Sequence, residues 1–121
     1  MAAPNLVNVT SIYGKTMGAS LGTSNTNMVI CASNKVYKVN SIIVSNVDGT
    51  NSFDATVVFY DSSGTSNYHI AKLVTIPAGS SLVVLGKDSP IYLEESDKIT
   101  AYASAASDGE IIISYEEMDD A

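Results

Sequence analysis

Apolar and polar residues alternate along most of this chain with a period of two, which is typical of half-buried β-strands. One face of the segment 53–59 consists of alternate apolar side chains: Phe53, Ala55, Val57 and Phe59. Valine and isoleucine are abundant, and their β-branched side chains favour strands. The pattern predicts strands at 5–13, 15–20, 26–32, 35–47, 53–61, 67–76, 81–86, 91–93, 98–105 and 110–117.

Turn-forming residues separate these runs. They occur at 48–49, 61–64, 77–79 and 108–109, where Asp, Ser, Pro and Gly favour tight turns. Asp108-Gly109 lies between two alternating runs and predicts a β-hairpin. The Gly-, Ser-, Thr- and Asn-rich stretch 14–27 is either an edge strand followed by a loop or an arm that becomes ordered against a partner.

Short strands without a helical stretch indicate an all-β fold, a single antiparallel β-sandwich. We expect one domain over residues 1–121, with 1–5 and 117–121 as extended tails. The pattern leaves jelly-roll and immunoglobulin-like topologies open, because both are built from short strands at this spacing.

Composition narrows the function. The chain has thirteen acidic residues, six lysines and no arginine, for a net charge of −7. This balance disfavours binding to nucleic acid or to anionic membranes, because both kinds of binding require clusters of cationic side chains. One cysteine excludes an internal disulfide framework and a cysteine zinc site. The first residues, Met1 to Asn5, lack the basic and apolar regions of a signal peptide.

Two single residues are candidates for reactive chemistry. His69 would need a serine and an acid converging on it to form a catalytic triad, and no nucleophile-elbow motif accompanies it. Cys31 follows an apolar run and has no second cysteine or histidine at a metal-binding spacing. We therefore interpret His69 as a structural or surface residue and Cys31 as a small buried apolar one.

Oxygen-bearing side chains form three groups. Asp48, Asn51 and Asp54 could bind calcium, but their spacing does not match an EF-hand loop, so we interpret them as a solvated turn. Carboxylates also cluster in a first acidic group, Glu94, Glu95 and Asp97, and in a second, Glu116, Glu117, Asp119 and Asp120. Acid–base catalysis by two carboxylates requires that the pKa of one of them is raised, and nothing nearby in the sequence would raise it. The first group predicts a strand–turn–strand connection with Asp97 capping the turn through its backbone. The second group predicts a solvated tail or a tail docked on a basic neighbour.

Seven tyrosines offer another site type: Tyr13, Tyr37, Tyr60, Tyr68, Tyr92, Tyr102 and Tyr115. Tyrosine rings could line a sugar-binding site, although such sites usually also use tryptophan and the chain has none. Tyrosine is equally common in strands and at protein interfaces, because it combines a flat apolar ring with a polar tip. A carbohydrate-binding module is therefore one alternative.

Five segments in order carry a resemblance to a known class of protein: 36–50, 68–72, 76–84, 89–99 and 113–117. Their order resembles small β-sandwich virion structural proteins of tailed bacteriophages, particularly those that infect cyanobacteria. The similarity runs from about residue 5 to the C-terminus. The chain departs from that pattern at Ser96, where glycine is usual. A serine there must avoid a positive φ or accept strain.

The resemblance implies a non-enzymatic virion component, most often a capsid decoration or cement protein on the head. It implies the major capsid protein or other virion proteins as partners, assembly in the host cytoplasm, and no catalytic, cofactor or metal residues. We expect a homo-oligomer, a trimer, with the 14–27 stretch or the N-terminal strand touching the shell. The alternatives are a neck, tail or fibre adaptor, a receptor-facing module, and a hydrolase using His69.

Overall fold

A computed structural model describes residues 9–119, which form nine β-strands. The strands are β1 (Ser11–Leu21), β2 (Thr26–Ile30), β3 (Lys35–Asn46), β4 (Phe53–Asp61), β5 (Ser66–Ile76), β6 (Ser81–Leu85), β7 (Ile91–Leu93), β8 (Lys98–Ala103) and β9 (Gly109–Asp119). Where the sequence predicts two strands at 5–13 and 15–20, the described part is one strand, β1. Residues 14–27 therefore hold most of an edge strand, a loop and the start of β2.

The strands form two antiparallel sheets, which confirms the all-β sandwich. Sheet A has the order β1-β9-β3-β6, with β7 also paired to β3, and sheet B has the order β2-β8-β4-β5. Without the three-residue β7, eight strands divide equally between the sheets and the last strand pairs with the first. This is the order of a jelly roll, so strand pairing settles the topology that the sequence pattern left open.

Strand alternation places the core between the sheets. Alternate residues of β4 and β9 point inward and are fully buried, including Val57, Ile111 and Ile113. The centre of β9 is apolar on both faces: Ile111 and Ile113 are buried in the core, whereas Ile112 is exposed on the outer face. The largest fully buried side chains are leucine, isoleucine and valine, apart from Thr56.

Two expectations about local structure are wrong. The Asp108-Gly109 turn does not close a hairpin, because β8 lies in sheet B and β9 lies in sheet A. The Asp108 carbonyl instead accepts a hydrogen bond from the Val47 amide at 2.8 Å, so this turn carries the chain between sheets. Residues 117–119, expected in an extended tail, are the last three residues of β9. Residues 1–5, 120 and 121 lie outside the described range.

Within residues 9–119, no helix is long and apolar enough to cross a membrane.

Candidate interaction surfaces

An aromatic cleft opens at the side of the sandwich where β5 and β7 are neighbouring edges. Its volume is about 390 Å³, and it is lined by Phe59, Tyr68, His69, Ile70, Ile91 and Tyr92. The Tyr68 ring is 58% exposed and stacks on Phe59, with ring centroids 6.5 Å apart. Tyr92 is 47% exposed. The cleft therefore combines apolar walls with two hydroxyl tips, and His69 belongs to its exposed rim.

The structure does not gather the tyrosines into one site. Tyr37 and Tyr115 stack at 5.1 Å between neighbouring strands of sheet A. Tyr60 lies in sheet B, with the Lys98 ammonium 5.0 Å from its ring centroid. Of the seven candidates, two line the aromatic cleft. The sequence could not make this selection, because it depends on which edge strands become neighbours.

Cys31 is buried, as predicted. Its thiol donates a hydrogen bond to the Lys35 carbonyl at 3.2 Å. Burial raises the pKa of the Cys31 thiol to about 11, so the thiolate that reacts with electrophiles or metals is rare near neutral pH. This fits the interpretation of Cys31 as a small apolar residue.

The three candidate calcium ligands do not form one site, because Asp48 and Asn51 bond to each other within a turn and Asp54 bonds to a different strand. Asp48 accepts from the Thr50 amide at 2.8 Å and from the Asn51 side chain at 3.3 Å, which closes a local turn. The Thr50 bond is the main reason that the pKa of Asp48 lies below its usual value. Asp54 lies on β4 and accepts from Thr75 at 2.7 Å. Among the described residues, no group of three or more His, Cys, Asp or Glu could hold a metal ion.

Asp97 has a larger structural role than the sequence indicates. It is buried, and its backbone amide donates to the Glu94 carbonyl at 2.9 Å, which caps the β7–β8 turn through the backbone as expected. One carboxylate oxygen also accepts from the Glu94 amide at 3.0 Å, a side-chain bond that was not predicted. The other oxygen accepts from the Ser62 amide at 2.9 Å. Asp97 therefore joins the β7–β8 turn to the β4–β5 turn, a long-range link that spacing along the chain does not reveal.

Ser96, where the phage proteins that this chain resembles usually have glycine, accepts a positive φ. Its φ is +72°, so the serine occupies the left-handed conformation that glycine adopts without strain. The Ser96 amide donates to the Cys31 carbonyl at 2.9 Å, which fixes the backbone in this position. The turn therefore keeps its geometry at a conformational cost.

A charged cluster closes the end of the sandwich near the β9 C-terminus. It consists of Lys15, Lys35, Glu117 and Asp119. Glu117 has only 8% of its surface exposed, and its carboxylate lies 3.0 Å from the Lys15 ammonium and 3.2 Å from that of Lys35. Lys35 also contacts Asp119 at 2.6 Å. Glu117 and Asp119 were expected in a tail. Their place in a strand end follows from the pairing of β9 with both neighbours.

The cluster alters the pKa values of its members. Hydrogen bonds to the two lysines outweigh the opposing effect of burial and hold the pKa of Glu117 below its usual value. The hydrogen bond to Glu117 raises the pKa of Lys15, and the bond to Asp119 is the main cause that raises the pKa of Lys35. Lys15, Lys35 and Glu117 therefore stay charged near neutral pH. The cluster is therefore a set of ion pairs that fastens β1, β9 and β3 together.

The outer face of sheet A carries an apolar row across three strands. Ile112, Ile43 and Val83 lie side by side in register, on β9, β3 and β6. Val83 is 63% exposed and Ile112 is 45% exposed. Hydroxyl pairs surround the row: Thr16 with Ser114 at 3.3 Å and Ser45 with Ser81 at 3.0 Å.

This outer face carries little charge. Strand alternation places Glu110, Glu116 and Lys38 on it, and Lys38 lies opposite Glu116 in the β3–β9 register. Among the described strand residues, these three charged side chains give the outer face a net charge of −1. A surface with an apolar centre and neighbouring hydroxyl groups resembles the core and rim of protein interfaces.

The chain matches no known protein-family model and no curated protein. Among solved structures it is similar to a subunit of Bacillus endospore appendages, described as a novel family of disulfide-linked pili. The TM-score is 0.54 at 15% identity, over 90% of this chain and 87% of that chain. This likeness shows a shared fold.

Two further similar structures are described as pentameric capsid proteins isolated from metagenomic phage sequences. One has a TM-score of 0.43 at 16% identity, over 98% of this chain and 68% of that one. The other has a TM-score of 0.41 at 13% identity, over 98% and 66%.

Proposed function

We propose that this protein is a non-enzymatic structural component of a bacteriophage particle, a decoration or cement protein that binds the head. The observation that carries the proposal is the outer face of sheet A, which carries few charges and is apolar at its centre. The ordered segments that resemble phage virion proteins point the same way. A jelly roll is a recurrent fold of viral capsid domains, and this adds support by analogy.

The physics of the face suits binding to a protein shell. Its centre, Val83 and Ile112, exposes apolar area that would be buried on contact, and burial stabilises by roughly 25 cal/mol per Å². Its serine and threonine rim can hydrogen-bond to a partner without the desolvation cost of ions.

The location of the chain in the particle tests the proposal. Mass spectrometry of purified virions should detect the chain, and antibody labelling should mark the heads. Labelling confined to the neck, tail or fibres would instead support the adaptor or receptor-facing alternative. Absence of the chain from purified virions would overturn the proposal.

A matched pair of variants tests the binding face. Val83→Glu places a charge in the centre of the apolar row, and Ile30→Glu places the same charge on an exposed position of sheet B. We expect Val83→Glu to weaken binding to capsids lacking the protein by at least tenfold, about 1.4 kcal/mol, and Ile30→Glu to leave it unchanged. Equal effects of the two variants would show that the outer face of sheet A is not the contact.

The aromatic cleft favours one second candidate, a carbohydrate-binding module. Tyr68 and Tyr92 expose their rings at its mouth, and its volume lies within the range of small-ligand sites. A glycan array probed with the isolated domain tests this function. A hit that is lost in Tyr92→Ala and kept in Ile30→Ala would support it, and an array without signal would remove it.

A further inference from the structure

The edge strands of the two sheets differ in how well they are protected against pairing with a strand of another molecule. In the described residues, β2, β6 and β7 are edge strands of five, five and three residues. The longer edge strand β5 has two register shifts against β4, and Leu73 within it has a φ of +51°. Short length and bulges both prevent an edge from accepting another strand. These four strands are therefore protected.

The edge strand β1 lacks these protections. It has eleven residues, no proline, and eleven consecutive pairs with β9 without a register shift. Its single charged residue is Lys15, whose ammonium binds Glu117 on the neighbouring strand and is thereby held toward β9. Along its outer side no described strand is paired, so alternate backbone amides and carbonyls there are available to a further strand.

The sequence of β1 is complementary to itself in the antiparallel direction. Its first half exposes two bulky side chains, Ile12 and Tyr13, and its second half presents Gly18, Ala19 and Ser20. A twofold axis at Thr16 places residue 12 of one copy opposite residue 20 of the other, and residue 13 opposite residue 19. Each bulky residue then meets a small one, and this match occurs twice.

A depression in the surface fits this register. A hollow of about 370 Å³ is lined by Gly18, Ala19, Ser20, Glu110, Ile111 and Ile112. Ile12 is 58% exposed and lies on the same face of sheet A as Gly18 and Ile112. Across the twofold axis, Ile12 of a second copy would lie beside Ser20, at the edge of this hollow.

We propose that two copies of this chain pair through β1, antiparallel and centred on Thr16, to form one continuous sheet. The pairing brings no carboxylate of β1 against another, because β1 has none. Eleven residues at about 3.4 Å each give an interface of roughly 1,000 Å² in total, at the lower limit for a specific complex, so we expect micromolar affinity. The twofold axis is perpendicular to the sheet, so both copies present the outer face of sheet A on the same side.

Cysteine crosslinking of the full chain tests the register. Thr16→Cys places two thiols directly opposite each other, with Cα atoms about 5 Å apart, within the range of a disulfide. Ser20→Cys is the matched control, because its two copies would lie about 27 Å apart in this register. Both positions are exposed, and the native Cys31 is buried. Under mild oxidation we expect a crosslinked dimer with Thr16→Cys and none with Ser20→Cys.

Sedimentation of the wild type and of Gly18→Val tests the hollow. A Cβ at Gly18 meets only a backbone oxygen at 3.8 Å, so valine fits the monomer while it fills the hollow. We expect a wild-type mass of twice 12.7 kDa and a dimer dissociation constant raised at least tenfold in Gly18→Val, with Ile30→Glu unchanged.

A monomer at about 200 µM, a trimer, or a dimer unaffected by Gly18→Val would overturn the proposed pairing. None of these outcomes depends on whether the chain occurs in virions, so the pairing and the proposed function fail separately.

Discussion

Glu117 is the one acidic side chain of the charged cluster that is almost fully buried, and Glu117→Gln tests whether the cluster stabilises the fold. The substitution keeps the size of the side chain and removes its charge. The carboxylate contacts Lys15 at 3.0 Å and Lys35 at 3.2 Å, so both ion pairs lose their negative partner. Lys35 retains Asp119 at 2.6 Å.

The magnitude follows from the exposure of the three partners. A hydrogen bond to a charged group contributes about 1.5–3 kcal/mol, and breaking a fully buried pair costs about 3–5 kcal/mol. The lysine side chains are 47% and 23% exposed, so water solvates both ammonium groups once the carboxylate is gone. The amide oxygen of glutamine also accepts one of the two bonds. We therefore expect Glu117→Gln to lower the free energy of unfolding by about 1–2 kcal/mol at neutral pH.

The effect depends on pH with a defined sign. The pKa of Glu117 is lower in the folded chain than in the unfolded chain, so its charge stabilises the fold above the unfolded value of about 4.3. That stabilisation disappears as the pH falls through the folded pKa. The difference between wild type and Glu117→Gln should therefore be largest at pH 6–8 and should shrink as the pH falls below the unfolded value and through the lower, folded pKa.

Thermal and urea unfolding, followed by circular dichroism, measure the effect. For a chain of this length, about 1.5 kcal/mol corresponds to a decrease in Tm of roughly 6 °C. Glu116→Gln is the control, because this neighbour lies on the outer face of sheet A and should change stability by less than about 0.5 kcal/mol. Equal Tm values for wild type and Glu117→Gln at pH 7, or a difference that does not decrease as the pH is lowered from 7 through the acidic range, would refute the reasoning.

Three further substitutions or probes test local features. Gly109→Ala should lower the free energy of unfolding in urea by about 1–3 kcal/mol, because an added Cβ would lie 2.6 Å from the buried Phe53 ring. Gly14→Ala is the control and should not destabilise the fold, because the space around Gly14 is open. Ser96→Gly should raise the free energy of unfolding by about 0.5 kcal/mol, because it relieves about 1–2 kcal/mol of left-handed strain but also increases the conformational entropy of the unfolded chain. A clear decrease in Tm would contradict this. Cys31 should react with a thiol reagent at pH 8 only after denaturation, because the thiol is buried and its pKa is about 11, and rapid labelling of the native chain would disprove this.

The strands could be predicted from the sequence because alternation with a period of two is a local signal. The predicted bounds 53–61 and 91–93 coincide with β4 and β7. The error at Asp108-Gly109 shows the limit of such signals. A turn motif indicates that the chain reverses, but whether the next strand pairs with the previous one or crosses to the other sheet depends on long-range packing. Here Phe53 packs against Gly109, where no side chain would fit.

The candidate surfaces were less predictable. The sequence drew attention to Tyr68 and Tyr92 only as two of seven tyrosines, and to Glu117 only as part of an acidic end. Val83 and Ile112 had no distinguishing signal, because an apolar residue in a strand is equally suited to the core or to an exposed face. Their exposure depends on which side of each strand faces the other sheet.

The sequence by itself determined the fold class, most strand positions, the turn at Asp97 and the scarcity of reactive groups. These properties follow from local alternation, turn chemistry and composition. Only the tertiary structure decided the jelly-roll order, the burial of Glu117 between two lysines, the apolar row on sheet A and the unprotected edge β1. The physical reason is that antiparallel pairing joins residues about a hundred positions apart, such as Lys15 and Tyr115, and no local pattern encodes that partnership.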